Sequence, residues 1–73
     1  MRDGKSAIYE IRIQGCLDAG WEDWFGGLTI SRYEEGDTVL TGSIVDQAAL
    51  FGILKKIRDL GMPLISVNRL KGE

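Results

Sequence analysis

Val45-Asp46-Gln47-Ala48-Ala49-Leu50-Phe51-Gly52-Ile53-Leu54-Lys55-Lys56-Ile57-Arg58-Asp59-Leu60-Gly61 is the stretch on which the fold turns. Its aliphatic residues Leu50, Ile53, Leu54, Ile57 and Leu60 recur every three or four positions, which places them on one stripe of a helix. Asp46 stands where an N-cap belongs, and Val45 before it is placed to pack on Leu50 as a hydrophobic staple. Gly61 closes the helix and Pro63 prevents it from resuming. An apolar stripe of this length must be covered, and the flanking sequence is expected to supply a sheet.

Upstream of the helix, Leu28 to Tyr33 and Thr38 to Ile44 alternate apolar and polar residues, and Glu34-Glu35-Gly36-Asp37 reads as the hairpin turn between them. Gly42 in mid-strand points to a bulge or to close approach by a neighbour. Ala7 to Gln14 alternates in the same way, with Ala7, Tyr9, Ile11 and Ile13 opposed to Ile8, Glu10, Arg12 and Gln14. Between the first two strands, Asp18 is placed to cap a helix of about two turns. That helix would gather Leu17, Trp21, Trp24 and Phe25 on one face, point Glu22 and Asp23 away, and stop at Gly26-Gly27. Downstream, Leu64 to Leu70 reads as a strand with Ile65 and Val67 inward and Ser66 and Asn68 outward.

This order predicts an α+β domain of the ferredoxin-like βαββαβ type, a four-stranded antiparallel sheet with two helices on one face. The alternative treats Trp21 to Phe25 as a structured loop, leaving a three-stranded meander, one helix and a final strand. Residues 7–70 are expected to form one α+β domain, with 1–6 a flexible tail and 71–73 a loose end. The uncovered sheet face would carry Glu10, Arg12, Gln14, Thr29, Ser31, Tyr33, Val39, Thr41, Ser43, Ser66 and Asn68, polar enough for water to cover it.

A hydrophobic fraction of 44% and a charged fraction of 27% are those of a soluble folded domain. No apolar run is long enough to span a bilayer, and the start of the chain has no apolar segment of the signal-peptide kind, so a cytoplasmic protein with no membrane partner is expected. A single cysteine allows no internal disulfide and fits a reducing compartment. The net charge of −2 is unevenly laid out. Acidic residues dominate from Asp18 to Asp46, and Lys55, Lys56, Arg58, Arg69 and Lys71 dominate the end. Without a dense basic run, nucleic acid is not the expected partner.

The chain has no histidine, which removes the usual general base, the Ser-His and Cys-His pairs and the commonest zinc ligand. No phosphate-binding glycine loop is present. Cys16, between a strand and the short helix, is the one candidate reactive thiol, but Asp18 is close and no base accompanies it. Asp18, Glu34, Glu35, Asp37 and Asp59 gather at one end, yet their spacing matches no EF-hand loop. No catalytic residue, cofactor or metal site is therefore predicted, and the chain is not expected to be an enzyme.

The pattern Trp21-x-x-Trp24-Phe25-x-Gly27-Leu28-x-Ile30, then Asp46-Gln47-Ala48-Ala49-Leu50-x-Gly52-Ile53-Leu54, then Arg58-Asp59-Leu60-Gly61-x-Pro63-Leu64-Ile65-Ser66-Val67 resembles a group of short, uncharacterised prokaryotic proteins. That group has no established activity, so the resemblance implies one complete domain and carries over no functional residue.

The expected function is a non-catalytic interaction or regulatory module that self-associates through a sheet edge or the open sheet face. Its candidate surface is Phe51, Lys55, Arg58, Tyr33 and Trp21. Phe51 lies off the apolar stripe on the side of Lys55 and Arg58, and Gly52 beside it would let the short helix or a second molecule come close. The alternative is a small-ligand sensor resembling ACT-type regulatory domains, with its ligand near Gly15-Cys16-Leu17-Asp18 at the first helix N-terminus.

Overall fold

The computed structural model describes residues 7–33 and 36–72. Within them run β1 (Ala7–Ile13), β2 (Thr29–Arg32), β3 (Thr38–Ile44), α1 (Gln47–Leu60) and β4 (Leu64–Gly72). The strands form one sheet in the order β2-β3-β1-β4, and every neighbouring pair is antiparallel. This is an α+β fold with one α-helix among the described residues. The expected tail 1–6, the turn carboxylates Glu34 and Glu35, and Glu73 lie outside the described residues.

The period of two in β1 fills the core. Ile11 and Ile13 are fully buried, and Leu40 of β3 stands across from Ile11. Leu17, Phe25, Leu28, Ile44, Leu50 and Ile57 complete the buried cluster. Helix α1 begins and ends where its caps place it. The Asp46 carboxylate accepts the Ala49 N–H at 2.8 Å, and Gly61 adopts a left-handed φ of 79°. The side chain at 46 satisfies an N–H that has no partner within the helix, and glycine takes the reversed φ without a Cβ clash.

The second helix does not form. Asp18 still caps, accepting the Gly20 N–H at 3.0 Å, but it opens only a 3₁₀ turn over Ala19–Trp21, succeeded by further turns as far as Gly27. Trp21, Glu22, Trp24 and Gly26 donate their N–H groups to carbonyls three residues back. The physical reason is length. A nucleus costs several fixed dihedrals, Gly20 and the aromatic residues are poor helix formers, and Gly26 and Gly27 take positive φ angles that stop propagation. Glu22, expected to point into solvent, instead accepts the Ile30 N–H at 2.9 Å and ties the segment to β2. The alternative holds for this segment, which is a structured loop. Its three-stranded meander does not form, because β1 lies beside β3 and not beside β2.

Two further departures are local. Ile65 is not inward: the β1–β4 register slips between Arg12 and Ile13, so Ile65 has no partner on β1 and stands about half exposed, while Val67 does pack on the core. The last strand also runs to Gly72, opposite Ala7, and not only to Leu70.

Gly42 serves close approach. A Cβ built there would stand 2.7 Å from Leu28 Cδ2 and 3.5 Å from Leu28 Cα. Because Leu28 is itself buried, Gly42→Ala is expected to cost about 1–3 kcal/mol of stability, checked by urea unfolding.

Candidate functional site

The residues singled out from the sequence reach the surface at three separate places. On the outer face of α1, Phe51 is 61% exposed, with Lys55 and Arg58 exposed on the same side. Arg58 meets Asp59 at 3.3 Å, and both side chains are mostly in solvent, so this pair contributes little. Tyr33 lies beyond the end of β2, where the Arg12 guanidinium stacks on its ring 3.9 Å from the centroid. Val39, across the ladder from Arg12, is buried, so the open face is not all water-covered. Trp21 stands edge-on to Trp24 at 5.5 Å, and both are partly exposed while Phe25 alone of the three enters the core. These residues do not form one patch.

Cys16 is exposed, and its thiol reaches the Gly36 carbonyl at 3.6 Å. No α-helix starts behind it. A 3₁₀ turn, not an α-helix, follows the Gly15–Asp18 turn. The earlier turn is held by Thr38, a residue to which sequence reasoning assigns no role. The Thr38 hydroxyl donates to the Gly15 carbonyl and accepts the Leu17 N–H at 3.0 Å, and the residue is buried. A threonine placed opposite the inward Ile13 in a strand pair is the available signal. Among the described residues no group of three side chains is placed to hold a metal ion. No helix there is long and apolar enough to cross a membrane.

Two features have no counterpart in the sequence reading. The first is a groove of about 390 Å³ at the opposite end of the sheet from Cys16. It lies between Phe25, Gly26 and Leu28 on one side and Ala49, Gly52, Ile53 and Lys56 of α1 on the other, with Ile44 between. The short helix expected beside Gly52 is not there, since a Cβ built on it touches nothing within 4 Å. Gly52→Ala is therefore expected to raise stability by about 1 kcal/mol, or roughly 4–8 °C in Tm, read from a thermal melt.

The second feature is the contrast between the two edges of the sheet. The β2 edge is four residues long, carries Thr29, Ser31 and Arg32, and has its Ile30 N–H occupied by the Glu22 carboxylate. The β4 edge is nine residues long and exposes Leu64 (49%), Ile65 (47%) and Leu70 (55%). Adjacent Leu64 and Ile65 are the sequence signal, since two large aliphatics in succession cannot both face the core of a strand.

The model of one family, described as a domain of unknown function (DUF8691), matches residues 8–68. No curated protein and no solved structure matches the chain.

Proposed function

We propose that this chain, which belongs to the DUF8691 family of unknown function, is a non-catalytic cytosolic interaction module that associates with a second copy of itself through the outer edge of β4. The observation that carries this reading is the unequal treatment of the two edges. A free edge presents unpaired N–H and C=O groups, and proteins that stay monomeric shorten, charge or cover it. Here β2 is short, polar and capped by Glu22, whereas β4 is long and, although it carries Arg69 and Lys71, exposes Leu64, Ile65 and Leu70. The sheet order also supports reading the frame as ferredoxin-like, with its first crossover shortened from a helix to the 3₁₀ turn.

A two-fold axis through Val67 gives the pairing its register. It sets Leu64 opposite Leu70 of the second copy, Ile65 opposite Arg69 and Ser66 opposite Asn68. The two Arg69 positions then stand four residues apart along the ladder, about 13 Å, beyond a Debye length of about 8 Å at physiological salt. Association therefore joins Leu64 to Leu70 at both ends and lays Ile65 beside the Arg69 stem, without bringing the two Arg69 charges together. The open face is a poorer candidate for nucleic acid, because the Tyr33 ring that would stack on a base is already held by Arg12.

Sedimentation equilibrium tests the reading. The chain is expected to dimerise in the micromolar range, and Ile65→Lys, which places a charge on the edge without entering the core, is expected to weaken the dimer at least a hundredfold. A wild-type chain that stays monomeric at millimolar concentration, or an Ile65→Lys dimer of unchanged affinity, contradicts it.

A further inference from the structure

The groove between Phe25–Leu28 and α1 shares no residue with the β4 edge, and its chemistry is specific enough to name an occupant. Its volume of about 390 Å³ falls in the range of small-molecule sites. Scaled from an apolar cavity of about 150 Å³ that holds benzene, it has room for roughly fifteen non-hydrogen atoms. Phe25, Leu28, Ile44, Ala49 and Ile53 give it apolar walls. Among the described residues that line it, Lys56 is the one charged side chain, and Ser43 adds a hydroxyl.

Lys56 is held in place and is not electrically matched in the groove. Its ammonium donates to the Trp24 carbonyl at 2.7 Å and lies 5.5 Å from the centre of the Trp24 ring. An ammonium has three N–H donors, so two remain for a ligand. A cation is repelled there, and a purely apolar molecule leaves the charge unanswered. We infer that the groove binds an amphipathic monocarboxylate, its apolar body against Phe25, Leu28, Ile44 and Ile53 and its carboxylate on Lys56. Gly52 keeps the wall between them open, since its place in the helix leaves space where any side chain would project. The site stands on this geometry alone and does not depend on association through β4.

Decanoate and decanol, equal in chain length and different in charge, are the probes, titrated into the full chain with tryptophan fluorescence as the readout. Decanoate is expected to saturate a single site at least tenfold more tightly than decanol. Lys56→Gln is expected to bring decanoate down to the level of decanol. Gly52→Leu, which fills the groove from a position with free space around it, is expected to abolish binding of both. Thermal melts of each variant report that the fold persists. Equal binding of decanoate and decanol to the wild type, undiminished binding to either variant, or no saturable site for decanoate overturns the inference. So does a Gly52→Leu chain that loses self-association, because the groove is then occupied by a second copy.

Discussion

Thr38→Val is expected to destabilise the domain by about 2–4 kcal/mol, read from the urea midpoint at constant slope. Valine has the shape of threonine but neither donates nor accepts. The Leu17 N–H would lose the bond it makes at 3.0 Å and the Gly15 carbonyl would lose its donor, both beside a residue that is buried. An unsatisfied buried polar group costs about 1–3 kcal/mol; the Leu17 N–H is one, and the part-buried Gly15 carbonyl adds a smaller loss. Thr38→Ser keeps the hydroxyl and is expected to recover more than half of the loss. Against a total stability of roughly 4–10 kcal/mol for a chain of this length, the valine variant would lose a large share of its margin. A loss below about 0.5 kcal/mol would mean that the turn after β1 is held by something other than this hydroxyl.

Phe25→Ala is expected to cost about 3–5 kcal/mol, the usual penalty for emptying a buried aromatic site, and to leave a chain that is largely unfolded or molten at physiological temperature. Phe25 is 1% exposed and is the one aromatic of its segment that reaches the core. The segment has no α-helical hydrogen-bond ladder of its own beyond a few three-residue turns, so its position depends on this side chain and on the Glu22 bond to Ile30. Trp21→Ala, at a partly exposed ring, is expected to cost less than about 1 kcal/mol. Near-ultraviolet circular dichroism and urea unfolding of the two variants separate anchor from surface. Similar costs for both would overturn the assignment of roles within the segment.

Most of the frame is legible in the sequence where two signals agree. For α1, the periodic stripe, the Asp46 cap and the Gly61 stop all point to the same limits, and the helix runs from Gln47 to Leu60. Alternation likewise locates all four strands, and Gly42 in mid-strand announces a close neighbour, Leu28. The segment 18–27 departs from expectation because a capping residue and an amphipathic face are necessary for a helix but do not supply the length that propagation needs. Glu22 shows the same limit, since its bond is to a residue eight positions away and no local rule anticipates it.

The candidate surfaces are legible only in part. Phe51 and its basic neighbours are exposed, whereas the position of Phe51 off the stripe fits equally a side chain filling a groove between two helices. The groove has no such signature, and at the β4 edge the adjacent Leu64 and Ile65 are the signal. One is a space between the Phe25–Leu28 segment and α1. The other is a strand edge whose exposure comes from sheet order and a register slip at Ile65.

Hydrogen exchange resolved by residue, at protein concentrations below and above dimerisation, tests self-association through β4 most directly. Amides of β4 between Leu64 and Leu70 are expected to gain protection as concentration rises, while Ile30 on β2, already bonded to Glu22, does not change. Association that protects β2 or the outer face of α1 and leaves β4 unchanged would contradict it.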